Sequence, residues 1–270
     1  MSTLYVVATP IGNLSDISKR ALDTLNAVKL IASEDTRIIG KLLSHYNIKT
    51  RKISFNKDNA ANRLPELLSI LEDSNIALTC DAGTPGISDP GFQLVAAARN
   101  NGHKTLVIPG PSAVISAISL SPIPINSFLF AGFAPKKTSD LEKLLYKIDN
   151  LDTFLLLFEA PHRFNTFLSK INKYSPNRLL FITRELTKIY EDSFLGTAKE
   201  SIDYFVNPKG EFTIIISPMK FTMTLNKEDS IKLIMKLQSD GLGIKEISKE
   251  IATVTQLSNS DAYKLILDTL

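Results

Sequence analysis

The chain has 270 residues, 44% apolar and 22% charged, with a net charge of +3; this excludes a disordered or fibrous protein and allows one large domain or two smaller ones. Residues 1–120 carry 12 basic against 10 acidic groups, residues 121–225 carry 13 against 11, and residues 226–270 carry 6 against 7. That balance is too even to announce a nucleic-acid binder in bulk, so any polyanion site must be a local patch. One cysteine excludes an internal disulfide and fits a reducing cytoplasm. Three separated histidines offer no zinc spacing, so no metal is expected. No apolar run approaches the roughly 18 residues of a membrane span, and no basic stretch precedes the first strand, so neither a membrane partner nor a signal peptide is expected.

The first apolar run, Leu4–Ala8, reads as a buried strand and gives way to the turn Thr9-Pro-Ile-Gly-Asn13. Ile17, Ala21, Leu25 and Val28 recur at helical spacing behind a capping Ser15 or Asp16. Lys29–Ser33 is a second strand, leading through Glu34-Asp-Thr-Arg37 into a helix up to about His45. Ile53–Phe55, Ile76–Cys80 and Thr105–Ile108 supply further strands. Helices are predicted between Asn59 and Leu71, where Pro65 marks a late start, and between Gly91 and Asn100. Strands alternating with helices imply βαβ units and a parallel sheet.

Two prolines in Leu120-Ser-Pro-Ile-Pro-Ile-Asn126 mark a linker. Beyond it, Phe128–Gly132, Thr153–Phe158, Leu179–Thr183 and Phe212–Ser217 read as strands, with helix faces at Leu141–Ile148 and Phe164–Ile171. This half is also α/β, in an order the sequence does not fix. Three amphipathic helices then follow, at Glu228–Ser239, Ile244–Thr253 and Ser258–Leu270. The expected domains are thus residues 1–120, residues 121–225 and a small helical appendage over 226–270. The appendage is either a helix-turn-helix reader of nucleic acid or a packing and dimerisation tail. Its acidic balance favours the tail.

Polar or glycine-proline clusters sit where strands should end. The longest is Cys80-Asp-Ala-Gly-Thr-Pro-Gly-Ile-Ser-Asp-Pro-Gly91, with three glycines and two prolines in twelve residues. It is short of side chains, so a ligand can approach its backbone. The turn at Thr9, the Glu34 cluster, this loop and Pro109-Gly-Pro-Ser-Ala113 should share one rim, since parallel strands end on one edge. Neither G-x-G-x-x-G nor G-x-x-x-x-G-K-[ST] occurs, which points to a ligand without a pyrophosphate. In the second half, Glu159-Ala-Pro-His-Arg163 and Arg184-Glu-Leu-Thr-Lys188 follow predicted strands. His162 with Glu159 fits either catalysis or a helix start. Arg163, Arg184 and Lys188 can meet phosphates or pair with neighbouring glutamates.

Taken together, Val7–Leu14, Glu34–Arg37, Asp81–Gly91, Pro109–Ala113, Glu159–Arg163 and Arg184–Lys188 resemble, in order, the motifs of the ribosomal RNA small-subunit methyltransferase I family, a branch of the tetrapyrrole methylase superfamily. The resemblance runs from about residue 3 to residue 217. It implies two α/β domains with S-adenosyl-L-methionine in the cleft between them, a homodimer, and methylation of a ribose 2′-hydroxyl on a cytidine in the decoding region of 16S ribosomal RNA. The RNA would be met free or within the small ribosomal subunit. The family usually carries Ser at Cys80, Tyr at Phe158 and arginines in place of Leu141 and Glu142, which would pass cationic contacts to Lys143 and Lys147.

On that resemblance, Pro10, Gly12, Asp81, Ala82, Gly83, Gly86, Ile87, Ser88, Ser112 and Ala113 are the expected cofactor-binding residues. Lys188, Glu185, Glu159 and His162 are the catalytic candidates, and Arg37, Arg163 and Arg184 would position RNA. Methyl transfer from a sulfonium is an in-line displacement that destroys a positive charge, so it needs alignment and a dry cleft. A ribose hydroxyl is a poor acid, and a nearby base or cation should assist it. A small-molecule methylase and a non-catalytic RNA-binding factor are the competing readings.

Overall fold

The computed structural model describes residues 2–86, 91–219, 221, 227–239, 241–255 and 259–269. Strands β1 (Thr3–Val7), β2 (Leu30–Ser33), β3 (Arg51–Ser54), β4 (Ile76–Thr79) and β5 (Lys104–Ile108) form a parallel sheet in the order β3-β2-β4-β1-β5. Helices α1 (Lys19–Ala27), α2 (Thr36–His45), α3 (Ala60–Asp73) and α4 (Gly91–Asn100) connect them. Strands β2 and β4 are buried at every position because helices cover both faces. The two-residue pleat divides β2: Ile31 packs with Leu25, Ile39 and Leu42 on the α1–α2 side, whereas Leu30 and Ala32 pack with Leu67, Leu71 and Leu94 on the α3–α4 side.

Pro65 does not begin its helix. Helix α3 opens five residues earlier and carries the proline inside. The missing N–H deprives the Ala61 carbonyl of its intrahelical donor, and Ala61 is exposed, so solvent can take that place.

Helix α5 (Ala113–Leu120) leads from the first half into a second sheet, made of β6 (Phe128–Phe133), β7 (Phe154–Glu159), β8 (Leu180–Arg184), β9 (Asp192–Gly196) and β10 (Phe212–Ile216) in the order β6-β7-β10-β8-β9. Only β6 and β7 are parallel; β10 runs antiparallel between β7 and β8, and β9 is antiparallel to β8. Helices α6 (Thr138–Leu151), α7 (Pro161–Tyr174) and α8 (Ala198–Tyr204) cover one face, burying Leu145, Phe164 and Phe167 against Leu155, Leu157 and Ile214. The other face receives α5, whose Val114 and Ala117 bury with Leu156, Phe181 and Ile215. Ile11, from the turn after β1, joins that cluster and ties the two sheets through one apolar seam.

Strand β9 and helix α8 were not anticipated from hydrophobic pattern. A signal for α8 was nonetheless present: Thr197 and Glu200 form a capping box, with Glu200 N–H donating to Thr197 Oγ1 at 3.3 Å and Thr197 N–H donating to Glu200 Oε2 at 2.8 Å.

The last helices, α9 (Lys227–Ser239), α10 (Ile244–Thr255) and α11 (Asn259–Leu267), fall within a few residues of the predicted spans and close a core of their own around Ile234, Ile247, Ile251, Ala262 and Ile266. Among the described residues no helix is long and apolar enough to cross a membrane.

Candidate active site

Four strand-end clusters of the first half meet through hydrogen bonds. Thr9 and Gly83 exchange both backbone bonds, N···O 2.8 and 3.0 Å. Thr84 Oγ1 donates to the Pro111 carbonyl at 3.1 Å, and Asp35 N–H donates to Asp81 Oδ1 at 2.9 Å. Gly83 needs its glycine, because its φ is +80° and a Cβ would come within 3.3 Å of Ile11. A parallel sheet presents these turns on one edge, and the bonds between them fix a single rim.

The rim forms one wall of a cleft of about 460 Å³, and the ends of β6, β7 and β10 form the other. That size suits a small cofactor. The first-half wall is built mostly from small residues: Cys80, Asp81, Ala82, Gly83, Thr84, Ser112 and Ala113. Phe133, Phe158 and Phe212 contribute apolar surface from the opposite wall. Four acids, Glu34, Asp81, Glu159 and Glu211, line the cleft, and among the described residues no Lys, Arg or His does. The cleft therefore favours a cation.

Two of these acids are shifted. Burial pushes the Asp81 carboxyl above the ordinary aspartate range; the Asp35 N–H opposes the shift and the Asp35 charge adds to it. Burial likewise raises Glu159, against the Ala160 N–H and the charges of Arg163, His162 and Lys170. The Glu159 side chain is fully buried. Its Oε1 accepts the Ala160 N–H at 2.8 Å, whereas Oε2 has no hydrogen-bond donor and meets Arg163 only as an ion pair at 3.2 Å. A buried, partly unsatisfied carboxylate on a cleft wall is a group poised for a ligand.

The sequence-nominated residues separate into groups. Asp81, Ala82, Gly83, Ser112, Ala113 and Glu159 line the cleft. Pro10 and Gly12 do not. Gly12 instead packs against the loop after β8: a Cβ there would lie 2.5 Å from Lys188 Cγ and 2.9 Å from the Leu186 carbonyl. Gly86, with φ +91°, borders a second groove beside β5. Ile87 and Ser88 lie outside the described residues.

Lys188, Glu185 and His162 are also away from the cleft lining. Lys188 Nζ donates to Glu185 Oε1 at 2.8 Å and to Glu211 Oε2 at 3.1 Å. Burial works against its charge, but these two bonds outweigh burial and the lysine pKa rises. It stays an ammonium at neutral pH, unsuited to take a proton. Burial would raise Glu185, yet Lys188 and the Glu211 N–H hold it below the ordinary range. Glu185 and Thr187 both adopt left-handed backbone, φ +52° and +66°, and Asn13 N–H donates to Thr187 Oγ1 at 3.1 Å. This segment clasps the first half to the second.

The arginines are similarly engaged. Arg37 pairs with Asp35, NH2 to Oδ2 2.6 Å, and holds that carboxyl down to about 2. Arg163 donates to the Ala134 and Pro135 carbonyls at 2.7 and 3.3 Å. Arg184 pairs with Asp192 at 3.3 Å over the Phe205 ring. Leu141 is buried in the core, so its position has no room for a cation. Lys143 pairs with Asp140, and neither it nor Lys147 borders the cleft.

Sequence reasoning missed Phe133, Gly210 and Glu211 as cleft residues. Gly210, at φ +84°, leaves the space that the Glu185 side chain fills. The Lys209-Gly-Glu211 turn ahead of an apolar run was the available signal.

Comparison with known proteins gives three results. The family described as tetrapyrrole (corrin/porphyrin) methylases matches residues 3–201. A Synechocystis protein named ribosomal RNA small subunit methyltransferase I is 40% identical, with 99% of this chain and 98% of that protein covered. A Vibrio cholerae protein of the same name is 36% identical over 99% of this chain and 95% of its own, and one from Thermotoga maritima is 40% identical over 80% of this chain and 99% of its own. Among solved structures, a diphthine synthase superposes with TM-score 0.65 at 12% identity, covering 81% of this chain and 90% of its own. A uroporphyrin-III-C-methyltransferase from Thermus thermophilus superposes with TM-score 0.57 at 16% identity, covering 81% and 96%. These two likenesses concern the fold.

Proposed function

The chain belongs to the tetrapyrrole methylase family, within its ribosomal RNA small subunit methyltransferase I group, and from that premise we propose that it transfers a methyl group from S-adenosyl-L-methionine to a ribose 2′-hydroxyl of a cytidine in the decoding region of 16S ribosomal RNA. The observation that carries the donor is the acidic cleft: four carboxylates line it and, among the described residues, no cation does. A net-positive sulfonium donor fits such a lining, and a pyrophosphate cofactor does not.

The donor supplies an electrophilic methyl carbon with a neutral thioether as leaving group. Asp81 anchors its cationic portion or a hydroxyl, and the backbone of Ala82, Gly83 and Thr84 meets its polar edges. Ser112 and Ala113 close the same wall. Glu159 is the base. Of the four catalytic candidates it alone lines the cleft, its Oε2 is without a hydrogen-bond donor, and its raised proton affinity brings it closer to the hydroxyl it must help. As the hydroxyl oxygen attacks, Glu159 accepts the proton while Arg163 steadies the carboxylate. Lys188 and Glu185 hold the wall by fixing Glu211. Arg37, Arg163 and Arg184 keep their exposed portions for phosphate.

The catalytic unit is the pair of sheets, because the family match spans residues 3–201 and every residue that lines the cleft falls between Ile11 and Thr213. The protein works as a homodimer in the cytoplasm. Phe92, Leu106 and Val107, 63%, 39% and 59% exposed, border an apolar groove on edge strand β5 that a second copy would cover.

Transfer of labelled methyl tests the reading, with small ribosomal subunits, free 16S RNA and tetrapyrroles offered in parallel. Incorporation at a single cytidine ribose of the RNA is the expected result. Labelling of tetrapyrrole alone, or no donor binding by calorimetry, overturns it. Light scattering at twice the monomer mass is expected for the dimer, and monomer mass overturns that part.

A further inference from the structure

Strand β6 ends in an aromatic residue that the fold leaves outside its core. The register between β6 and β7 shifts between Phe130 and Phe133, and Gly132 within that bulge has φ +70°. A bulge re-aims the side chain that follows it. Phe133 consequently stays 60% exposed while lining the cleft that holds Asp81 and Glu159. It touches Phe158 edge-on, with ring centroids 5.7 Å apart and an interplanar angle of 67°, and Phe158 meets Phe130 in the same way at 5.1 Å. The ring is thus braced from beneath and open above.

The residues that follow Phe133 supply charge. Arg163 pins the Ala134 and Pro135 carbonyls, and Lys170 Nζ donates to the Lys136 carbonyl at 2.9 Å. Lys136 and Lys137 are exposed and form no ion pair among the described residues. An exposed aromatic at the mouth of an acidic cleft, beside unpaired cations, matches one chemistry: a flat base over the ring, with its phosphates toward the lysines. A sugar hydroxyl reaches the buried Glu159 only if its nucleotide leaves the stack of its neighbours, and an unstacked base needs a new π surface.

We propose that Phe133 is the stacking platform for the base of the target nucleotide, flanked by Lys136 and Lys137. This rests on the ribosomal RNA reading above. It makes Phe133, at the mouth of the cleft and across from the Asp81–Thr84 wall, a determinant of RNA affinity.

The test measures methyl transfer to small ribosomal subunits by the full chain and by its Phe133→Leu and Phe133→Tyr variants, with donor affinity by calorimetry and mass by light scattering. Loss of one base–aromatic stack should raise KM for the subunit about tenfold to a hundredfold in Phe133→Leu. Phe133→Tyr, which keeps the π face, should recover most of that loss, and the rise in KM of Phe133→Leu should exceed any change in its donor affinity. Phe133→Met, which keeps the volume without the π face, replaces the leucine variant if that one does not fold. A parental KM in Phe133→Leu or Phe133→Met, from a parent that methylates subunits, overturns the platform alone. A change of oligomeric mass instead of KM assigns the ring to a subunit contact and likewise overturns it. A parent that labels no ribosomal RNA removes the RNA reading, and the platform with it.

Discussion

The Asp81 carboxylate accepts the backbone N–H of Asp35 across 46 residues of sequence, at 2.9 Å. This bond joins the loop after β4 to the N-terminus of α2, where Asp35 itself caps the helix by accepting the Arg37 N–H at 2.8 Å. One carboxylate oxygen of Asp81 is therefore committed to the scaffold, and its placement on the cleft wall is fixed.

Asp81→Asn should keep the bond to Asp35, because the amide oxygen still accepts, while removing the charge. Donor affinity should fall about tenfold to a hundredfold, the loss expected for one charge-assisted hydrogen bond. Calorimetric titration with S-adenosyl-L-methionine checks it, and an unchanged Kd removes Asp81 from the donor site.

Glu159→Gln should lower turnover about a hundredfold or more, the usual contribution of a positioned base, with a smaller effect on donor affinity than Asp81→Asn has. In the parent, rate should climb with pH through a midpoint above the ordinary glutamate value, since burial raises the carboxyl and only its ionised form accepts a proton. Stability has the opposite sign. A carboxyl whose folded-state pKa is raised costs stability as pH climbs from the unfolded value through the folded one. The glutamine variant should therefore be the more stable protein at neutral pH, and pH-dependent denaturation with pH–rate profiles tests both signs.

Gly12→Ala should open the clasp between the halves. The added carbon would stand 2.7 Å from Thr187 Oγ1 and 2.9 Å from the Leu186 carbonyl, and backbone cannot swing aside as a side-chain tip can. Overpacking of this kind costs about 1–3 kcal/mol. Denaturant titration should show the loss together with weakened donor binding, because Ile11, the neighbour of Gly12, lines the cleft. Parental values for both would mean the loop yields freely.

Arg178→Ala serves as a control remote from the cleft. Its side chain is wholly buried, with NH2 2.7 Å from Asp149 Oδ2 and NH1 donating to the Ser217 carbonyl at 3.2 Å. Removing one partner of a buried ion pair should cost about 3–5 kcal/mol. The Kd for the donor, measured below the melting transition, should stay unchanged.

The strand-and-helix alternation of the first half was legible because β2 and β4 are continuous apolar runs and the helices between them keep a 3.6-residue period. Strand β9 was not, because Asp192, Ser193, Phe194 and Leu195 are all half-buried and give no clean alternation. Nor was the insertion of antiparallel β10 between β7 and β8, since pairing partners leave no mark on a single strand's pattern. At the site, the loop Cys80–Thr84 and the Ser112–Ala113 turn were visible as glycine- and proline-rich strand ends. Phe133 was hidden because an exposed aromatic reads in sequence like a core one.

Composition, periodicity and turn chemistry settled most of the strands and helices, β9 and α8 excepted, and which turns stand at strand ends, because backbone preference and burial act residue by residue along the chain. Which charges face the cleft was decided only by folding. Glu159 and Lys188 look equally reactive in the linear sequence, yet β7 carries the first into the wall with an unsatisfied oxygen, whereas the left-handed turn after β8 gives the second two carboxylate partners and keeps it protonated. Proton affinity depends on desolvation and on neighbours within a few ångströms, and those neighbours come from distant parts of the chain.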